Sequence, residues 1–393
     1  MRRAFGALLA AEVVSSLGTL MAAVALPWFV LETTGSPGRM SAVLAAEALP
    51  FALVGVASGR VAGRLGARRT LLACDALQAT VTVLIPALHA LDALSFGLLL
   101  ALAFLGGIPW AAHYGSAQAL VAEIAGEHGV ARATAVFQTL SRATYFAGPV
   151  LGGALVAALG APAVLVIDAA TFALSFVLAA AAAPRTSLAP EPGARGGVAL
   201  LRRDAVLRSL TAAQFLSQGA FMVMVAAIPV LAFEDYDRAA SLAGVMFGAW
   251  GAGAMLGGVV AFRLAAAREA LPLGAAAWCL QALPLWLLAA SPSPAVAVAA
   301  LGASGLGNGV RVPPMAALIA AHIPPALRPQ TMTASTAITL SGGFVAVLAA
   351  GPVLERAGPA AAFAGVAAVQ TVAAALLLRL VQVVPPATAM PDS

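Results

Sequence analysis

The chain has 393 residues, 62% of them hydrophobic and 9% charged, with 21 basic against 16 acidic side chains and a formal net charge of +5. Soluble domains carry about 25% charged and roughly 45 to 50% apolar residues, so these proportions exclude a soluble globule and indicate an integral membrane protein. Lysine is absent, which excludes a Walker A phosphate loop, whose lysine contacts the terminal phosphates. With no nucleotide site of that kind, energy for any work must come from a gradient or from another chain.

A helix needs about 20 apolar residues to cross roughly 30 Å of hydrocarbon. Twelve such segments are predicted, at approximately 4–31, 40–59, 71–88, 94–119, 134–158, 162–182, 209–232, 242–262, 273–290, 294–320, 332–352 and 359–382. The expected fold class is therefore an all-α membrane protein with twelve transmembrane helices. The first segment is too long for the apolar core of a signal peptide and has no small-residue cleavage site before the second, so Met1-Arg2-Arg3 reads as a cytoplasmic start. Placing the even-numbered loops inside leaves only Arg39, Arg238 and Arg356 on the outer side, with Arg142 and Arg311 within spans. That asymmetry predicts both termini in the cytoplasm, and the pI near 10.2 then reflects topology and anionic lipid rather than nucleic acid. Cys74 and Cys279 fall in different spans of different halves, so no structural disulfide is expected.

In chain order, span one carries Glu12, Ser15, Ser16 and Thr19 at i, i+3, i+4 and i+7, a polar stripe on one helix face. Span two holds Glu47 and runs into a basic turn, Gly59-Arg60-Val61-Ala62-Gly63-Arg64-Leu65-Gly66-Ala67-Arg68-Arg69. Its glycines allow a tight turn and a close approach of two helix ends. Asp75 follows near the inner interface, where solvation or a capping contact with the basic turn is expected. Span four offers Trp110, His113 and Tyr114, and span five Gln138, Arg142 and Tyr145 at helical spacing. His113 is either a proton carrier near neutral pH or a hydrogen-bonded structural residue. Span six contains Asp168, and span ten repeats the polar stripe with Ser304, Asn308 and Arg311.

An unpaired charge at mid-bilayer costs at least about 2.5 to 3.5 kcal/mol, so each of these groups should face a cavity or a partner. At 1.5 Å per residue, Glu12, Arg142 and Arg311 lie roughly 12 to 14 Å from the cytoplasmic ends of their spans, and Glu47 and Asp168 roughly 9 to 11 Å from the outer ends. The shared depth predicts that Glu12 pairs with Arg142 inside its own half, as a permanent bond, or with Arg311 across the halves, as a switch broken by protonation.

The longest connection, 184–208, is rich in Pro, Gly and Arg and reads as a cytoplasmic linker between residues 1–183 and 209–393, each a six-helix bundle. Similar residues recur at a nearly constant offset: Ser16, Gly18 and Met21 as Ser217, Gly219 and Met222, Pro27 and Glu32 as Pro229 and Glu234, Arg64-Leu65 as Arg263-Leu264, and Thr139-Leu140-Ser141 as Thr339-Leu340-Ser341. A six-helix unit preserves orientation, so the halves are expected to be parallel repeats about an axis along the membrane normal.

The basic turn resembles the loop between helices two and three of the major facilitator superfamily: Gly59, Arg64, Gly66, Arg68 and Arg69 match its pattern, while the family's acidic position is Gly63 here. In span five, Gly148-Pro149-Val150-Leu151-Gly152-Gly153 is similar to the superfamily's antiporter motif. Ala25-Leu26-Pro27-Trp28, Thr34-Gly35-Ser36-Pro37 and Pro50-Phe51 resemble the drug and siderophore exporter branch, although Phe104-Leu105-Gly106-Gly107 lacks the Arg that many drug-proton antiporters carry early in span four. The resemblance implies that spans one, four, seven and ten line a central cavity. Glu12, Thr19, Trp110, His113, Tyr114, Gln214, Ser217, Phe221, Met222, Asn308 and Arg311 would then face it, with Glu47, Arg142 and Asp168 as further members of a substrate and proton pathway. The function it implies is secondary active export of a small amphipathic molecule by alternating access, with protons as counter-ion. A facilitator-type importer or uniporter on the same fold is the alternative, and a receptor or regulatory protein is the alternative of another class. No cofactor, metal site, nucleic acid partner or enzymatic centre is expected. The Arg-only, Ala-rich composition suggests a GC-rich bacterial genome, and a monomeric, multi-pass protein of the bacterial inner membrane is expected.

Overall fold

The computed structural model describes residues 2–125, 129–182, 197–264, 269–290, 292–324 and 327–383. In order, its helices are α1 (Arg2–Thr34), α2 (Pro37–Leu65), α3 (Ala67–Ala90), α4 (Phe96–Ala125), α5 (Val130–Leu159), α6 (Ala161–Ala182), α7 (Gly197–Arg203), α8 (Ala205–Glu234), α9 (Ala240–Leu264), α10 (Ala270–Ala282), α11 (Leu285–Leu288), α12 (Pro294–Ala321) and α13 (Arg328–Val383). Among the described residues nine helices are long and apolar enough to cross a membrane, and no strand occurs. The reason is that hydrocarbon offers the backbone no partner, so each segment must satisfy its own N–H and C=O groups.

Local chemistry sets the ends. Ser36 accepts from the Arg39 N–H at 3.1 Å ahead of α2, whose first residue is Pro37, and Ser95 accepts from the Leu98 N–H at 3.2 Å ahead of α4. Asp204 accepts from the Leu207 N–H at 2.9 Å and opens α8. Each occupies the cap position where a side-chain oxygen satisfies an otherwise orphaned donor. Pro284 separates α10 from α11, since its ring lacks the N–H that a continuous helix requires. A straight α13 would be about 84 Å long at 1.5 Å per residue, far beyond a bilayer. It breaks at Gly358, with φ 75° and ψ 179°, much as Gly160 breaks the chain between α5 and α6 with φ 83° and ψ 157°.

The residues divide into two compact units, Met1–Glu191 with Ala232–Gly248, and Pro192–Leu231 with Ala249–Ser393. In the first, α1 packs on α5 and α6, α2 on α4, and α3 on α4 and α6. Leu8, Leu71, Leu120, Val121 and Phe137 form a buried apolar cluster there. In the second, α10 packs between α12 and α13, around Leu207, Leu210, Trp278, Met315, Ile319 and Leu377. Leu201 of α7 joins this cluster, so the later part of the expected linker is packed into the second unit, while 184–196 lies outside the described residues. Large apolar side chains such as Leu256 and Phe262 face outward, as a surface solvated by lipid tails permits.

Gly358 gives a clean test of the turn, because a Cβ there meets nothing within 4 Å and only its backbone conformation resists substitution. Gly358→Ala is expected to lose about 1 to 3 kcal/mol, read as a lowered Tm in lipid nanodiscs. Gly365→Ala, also in open space but in regular helix, should leave Tm unchanged or raise it.

Candidate functional site

The first unit holds a buried polar cluster. Asp75 on α3 is fully buried, and its Oδ1 lies 2.9 Å from His113 Nε2 on α4. Its Oδ2 accepts from Ser175 Oγ on α6 at 2.8 Å. This corrects the expectation of a solvated residue near the interface. α3 starts at Ala67, four residues before the expected span, so Asp75 sits about 12 Å inside the helix. His113 takes the hydrogen-bonded place foreseen for it. Glu12 on α1 is buried, accepts from Ser16 Oγ at 3.2 Å, and lies close enough to His113 and Asp75 for their charges to interact. Thr19 donates back to the Ser15 carbonyl at 3.0 Å. The side chains of Trp110, Tyr114 and Arg142 lie outside the described residues.

Nearer the other end of the unit, buried Asp168 on α6 is 3.4 Å from Thr171 Oγ1, and Glu47 lies on α2. A glycine of another helix packs against each of these two helices, Gly18 of α1 on α6 and Gly107 of α4 on α2. A Cβ at Gly18 would overlap Asp168 and Thr171, and one at Gly107 would overlap the Glu47 carbonyl.

At the basic turn α2 ends at Leu65 and α3 starts at Ala67, with Gly66 between them at φ 82°, ψ 152°. Only glycine adopts that conformation without strain, and the Thr70 hydroxyl donates to its carbonyl at 2.9 Å. Arg68 Nη2 donates to the Ala180 carbonyl at 2.9 Å, placing a cation at the C-terminal end of α6, where the helix dipole favours it. The chain thus pins the turn without a carboxylate at Gly63. Arg69 is exposed, and the side-chain environment of Gly59 and Arg64 lies outside the described residues.

The span-five motif meets two helices. Gly148 and Gly152 rest on α1 at Leu20 and Met21, while Gly153 rests on the first turns of α9 at Ala240 and Gly244. Gly244 in turn abuts the Pro149 carbonyl and Gly153. Backbones approach this closely only where no side chain intervenes.

In the second unit, Arg311 on α12 is 5% exposed. Its Nε donates to Gln281 Oε1 on α10 and its Nη2 to Asn308 Oδ1, both at 2.9 Å. The guanidinium lies 4.2 Å from the centre of the Trp278 ring. Trp278 donates to Gln370 Oε1 on α13 at 2.8 Å, and Gln370 Nε2 reaches the Ser217 carbonyl on α8 at 3.4 Å. Arg311 is therefore bonded to two amides of its own unit. Beside this network Phe221, Met224, Trp250, Gln281, Ser304 and Gln370 line a narrow cavity of about 10 Å³, room for about one water. Phe221 and Trp250 pack with ring centroids 4.9 Å apart. Gln214 is half-buried on α8.

A family model described as the Major Facilitator Superfamily matches residues 8–270. The chain belongs to the major facilitator superfamily. It is accordingly a multi-pass membrane transporter and not an enzyme. It is 29% identical over 264 residues to the multidrug efflux pump Tap of Mycolicibacterium fortuitum, a match spanning 64% of each chain. With the pump of that name from Mycobacterium tuberculosis it shares 25% identity over 381 residues, 92% of this chain and 89% of the other. Solved superfamily structures share the fold. A bacterial homologue of the iron transporter ferroportin aligns with a TM-score of 0.76 at 14% identity, covering 96% of this chain and 98% of that one. A bacterial homologue of the lysosomal transporter Spinster gives 0.74 at 14% identity over 96% and 95%. The resemblance to the exporter branch therefore holds.

Charge counting in the sequence overlooked Ser175, Trp278, Gln281 and Gln370. The available signal was that Gln281 and Gln370 are amides within apolar spans, where polar side chains usually bind a neighbouring helix. The Asp75 site gives a stability prediction. His113→Leu removes a donor from a buried carboxylate and should cost about 1 to 3 kcal/mol, whereas Asp75→Asn, which can still accept from Ser175, should cost less. Thermal unfolding in nanodiscs orders the two variants.

Proposed function

We propose that the chain exports small amphipathic compounds in exchange for protons, by alternating access in a bacterial inner membrane, as a monomer with both termini cytoplasmic. The observation that carries the proton part is the buried Asp75–His113 pair with Glu12 beside it. Two carboxylates and an imidazole on the packed helices α1, α3 and α4, withdrawn from bulk water, are groups whose protonation is open to control by conformation. Amphipathic cargo is supported by the second unit, where an aromatic wall of Phe221 and Trp250 stands beside amides and a buried arginine. Export is supported by the relatives named as efflux pumps and by the glycine packing of the span-five motif.

Twelve spans are proposed by adding α2 and α4 to the nine apolar helices and splitting α13 at Gly358. Parallel six-helix halves, residues 1–183 and 209–393 with 184–208 as linker, are supported by recurring breaks. Pro27 in α1, Pro109 in α4 and Pro149 in α5 correspond to Pro229 in α8, Pro313 in α12 and Pro352 in α13, and Gly160 to Gly358. The substrate and proton pathway is assigned to Glu12, Thr19, Glu47, His113, Asp168, Gln214, Asn308 and Arg311, with Asp75 added.

Everted membrane vesicles, screened with lipophilic cations, anions and neutral compounds, test the function. Uptake into vesicles should require an imposed pH gradient, and uptake indifferent to that gradient would identify a uniporter. Asp75→Asn should remain folded and inserted but lose the pH-driven component. Full pH dependence in that variant removes Asp75 from the proton path, and Glu12→Gln then becomes the discriminating substitution. Gly153→Val should overpack the α5 contact with α9 at a cost of about 1 to 3 kcal/mol, lowering export and raising passive proton leak. An unchanged leak reduces the motif to packing.

A further inference from the structure

Arg311 is a buried cation whose bonded neighbours among the described residues are neutral. Gln281 and Asn308 take two of its donors and Trp278 lies under its plane. Its Nη1 has no partner among the described residues, and the buried Ser304 hydroxyl, two turns earlier on α12, has none either. Gln281 connects them, since it binds Arg311 and lines the narrow cavity together with Ser304, Phe221 and Trp250. A guanidinium does not give up its proton in proteins. Withdrawn from water without a countercharge, an ion costs several kcal/mol. Amides orient the ion and the indole face attracts it, but neither supplies negative charge.

We propose that Arg311, with Asn308, Gln281 and Ser304, binds a compact monoanionic group, either the carboxylate of a transported compound or a chloride ion. The proposal rests on reading the chain as a transporter, because the cavity must widen to admit either. The free Nη1 and the Ser304 hydroxyl are the donors such a group would take, and in the organic case Phe221 and Trp250 would face the apolar body attached to it. An acid-bearing amphipath would thus be held with its charge toward α12 and its apolar end toward α8 and α9.

The test is a thermal-shift titration of the full chain in neutral-lipid nanodiscs, with ionic strength held constant by sodium sulfate. Sodium benzoate, its uncharged analogue benzamide and sodium chloride are the probes. A ligand that binds only the folded state raises Tm in a saturable way. Benzoate, chloride or both should do so in the wild type, while benzamide should not. A response to benzoate alone assigns the site to organic acids, and one to chloride alone to an inorganic counter-ion. The shift should vanish in Arg311→Gln and persist in Arg311→Lys with a half-saturating concentration raised about tenfold, because an ammonium lacks the planar fork. It should be unchanged in Arg356→Gln, at an exposed arginine. No saturable response in the wild type, or an equal response in Arg311→Gln, overturns the site, and the wild-type arm decides even if a variant fails to fold. The titration involves no transport. Inactive vesicles would leave it standing, and pH-driven export of a cationic drug without any anion response would keep the exporter reading while removing this site.

Discussion

A carboxylate can be buried only where donors replace water, and Asp75 draws its two from different helices. Apolar packing in a bilayer has little power to choose the rotation of one helix against another, because lipid tails are as good a neighbour as leucine. Directional bonds do choose. With His113 on α4 and Ser175 on α6 both aimed at one residue of α3, three helices of the first unit are fixed in rotation at one level. Arg311 does the same in the second unit, tying α12 to α10, and through Trp278 and Gln370 the bonds extend to α13 and α8. Both networks bury charged groups with few partners, so the groups that align the helices are also those proposed to answer a proton or an anion.

Elsewhere in the first unit helices meet through glycine. Gly18 against α6, Gly107 against α2, and Gly152 and Gly153 against α1 and α9 each bring backbone to backbone or to a short polar side chain. Such contacts carry little area and no side-chain interlock, so they resist separation less than an interdigitated leucine seam and permit small rotations. The long apolar faces at Leu256 and Phe262 are left to lipid, consistent with binding energy concentrated inside each unit.

Helix positions were largely legible from runs of apolar residues, because the bilayer demands uninterrupted hydrogen-bonded segments. The polar stripe of Ser304, Asn308 and Arg311 was legible as well, since residues three and four apart share a helix face. What each charge would bind was not. The rotation of a neighbouring helix decides whether Gln281 or a carboxylate meets Arg311, and that rotation is set by many weak contacts absent from any one segment's pattern. Asp75 was misplaced for a local reason: the arginines at the head of α3 hid four helical residues inside what looked like loop. The basic turn was recognised from its glycines and arginines, but its attachment through Arg68 to a backbone carbonyl has no residue-type signal at the receiving end, because any amino acid at position 180 supplies the same oxygen.

That attachment has a further consequence. The bond from Arg68 to Ala180 joins a guanidinium to a peptide carbonyl, so no carboxylate has to stay ionised for it to hold. A carboxylate at position 63 would have made the turn's anchorage weaken as the medium acidified. Here the turn between α2 and α3 is anchored without one. The bond that holds α3 to α6 at this end is thereby chemically separate from the Asp75 contacts that join α3 to α4 and α6 further along the same helices.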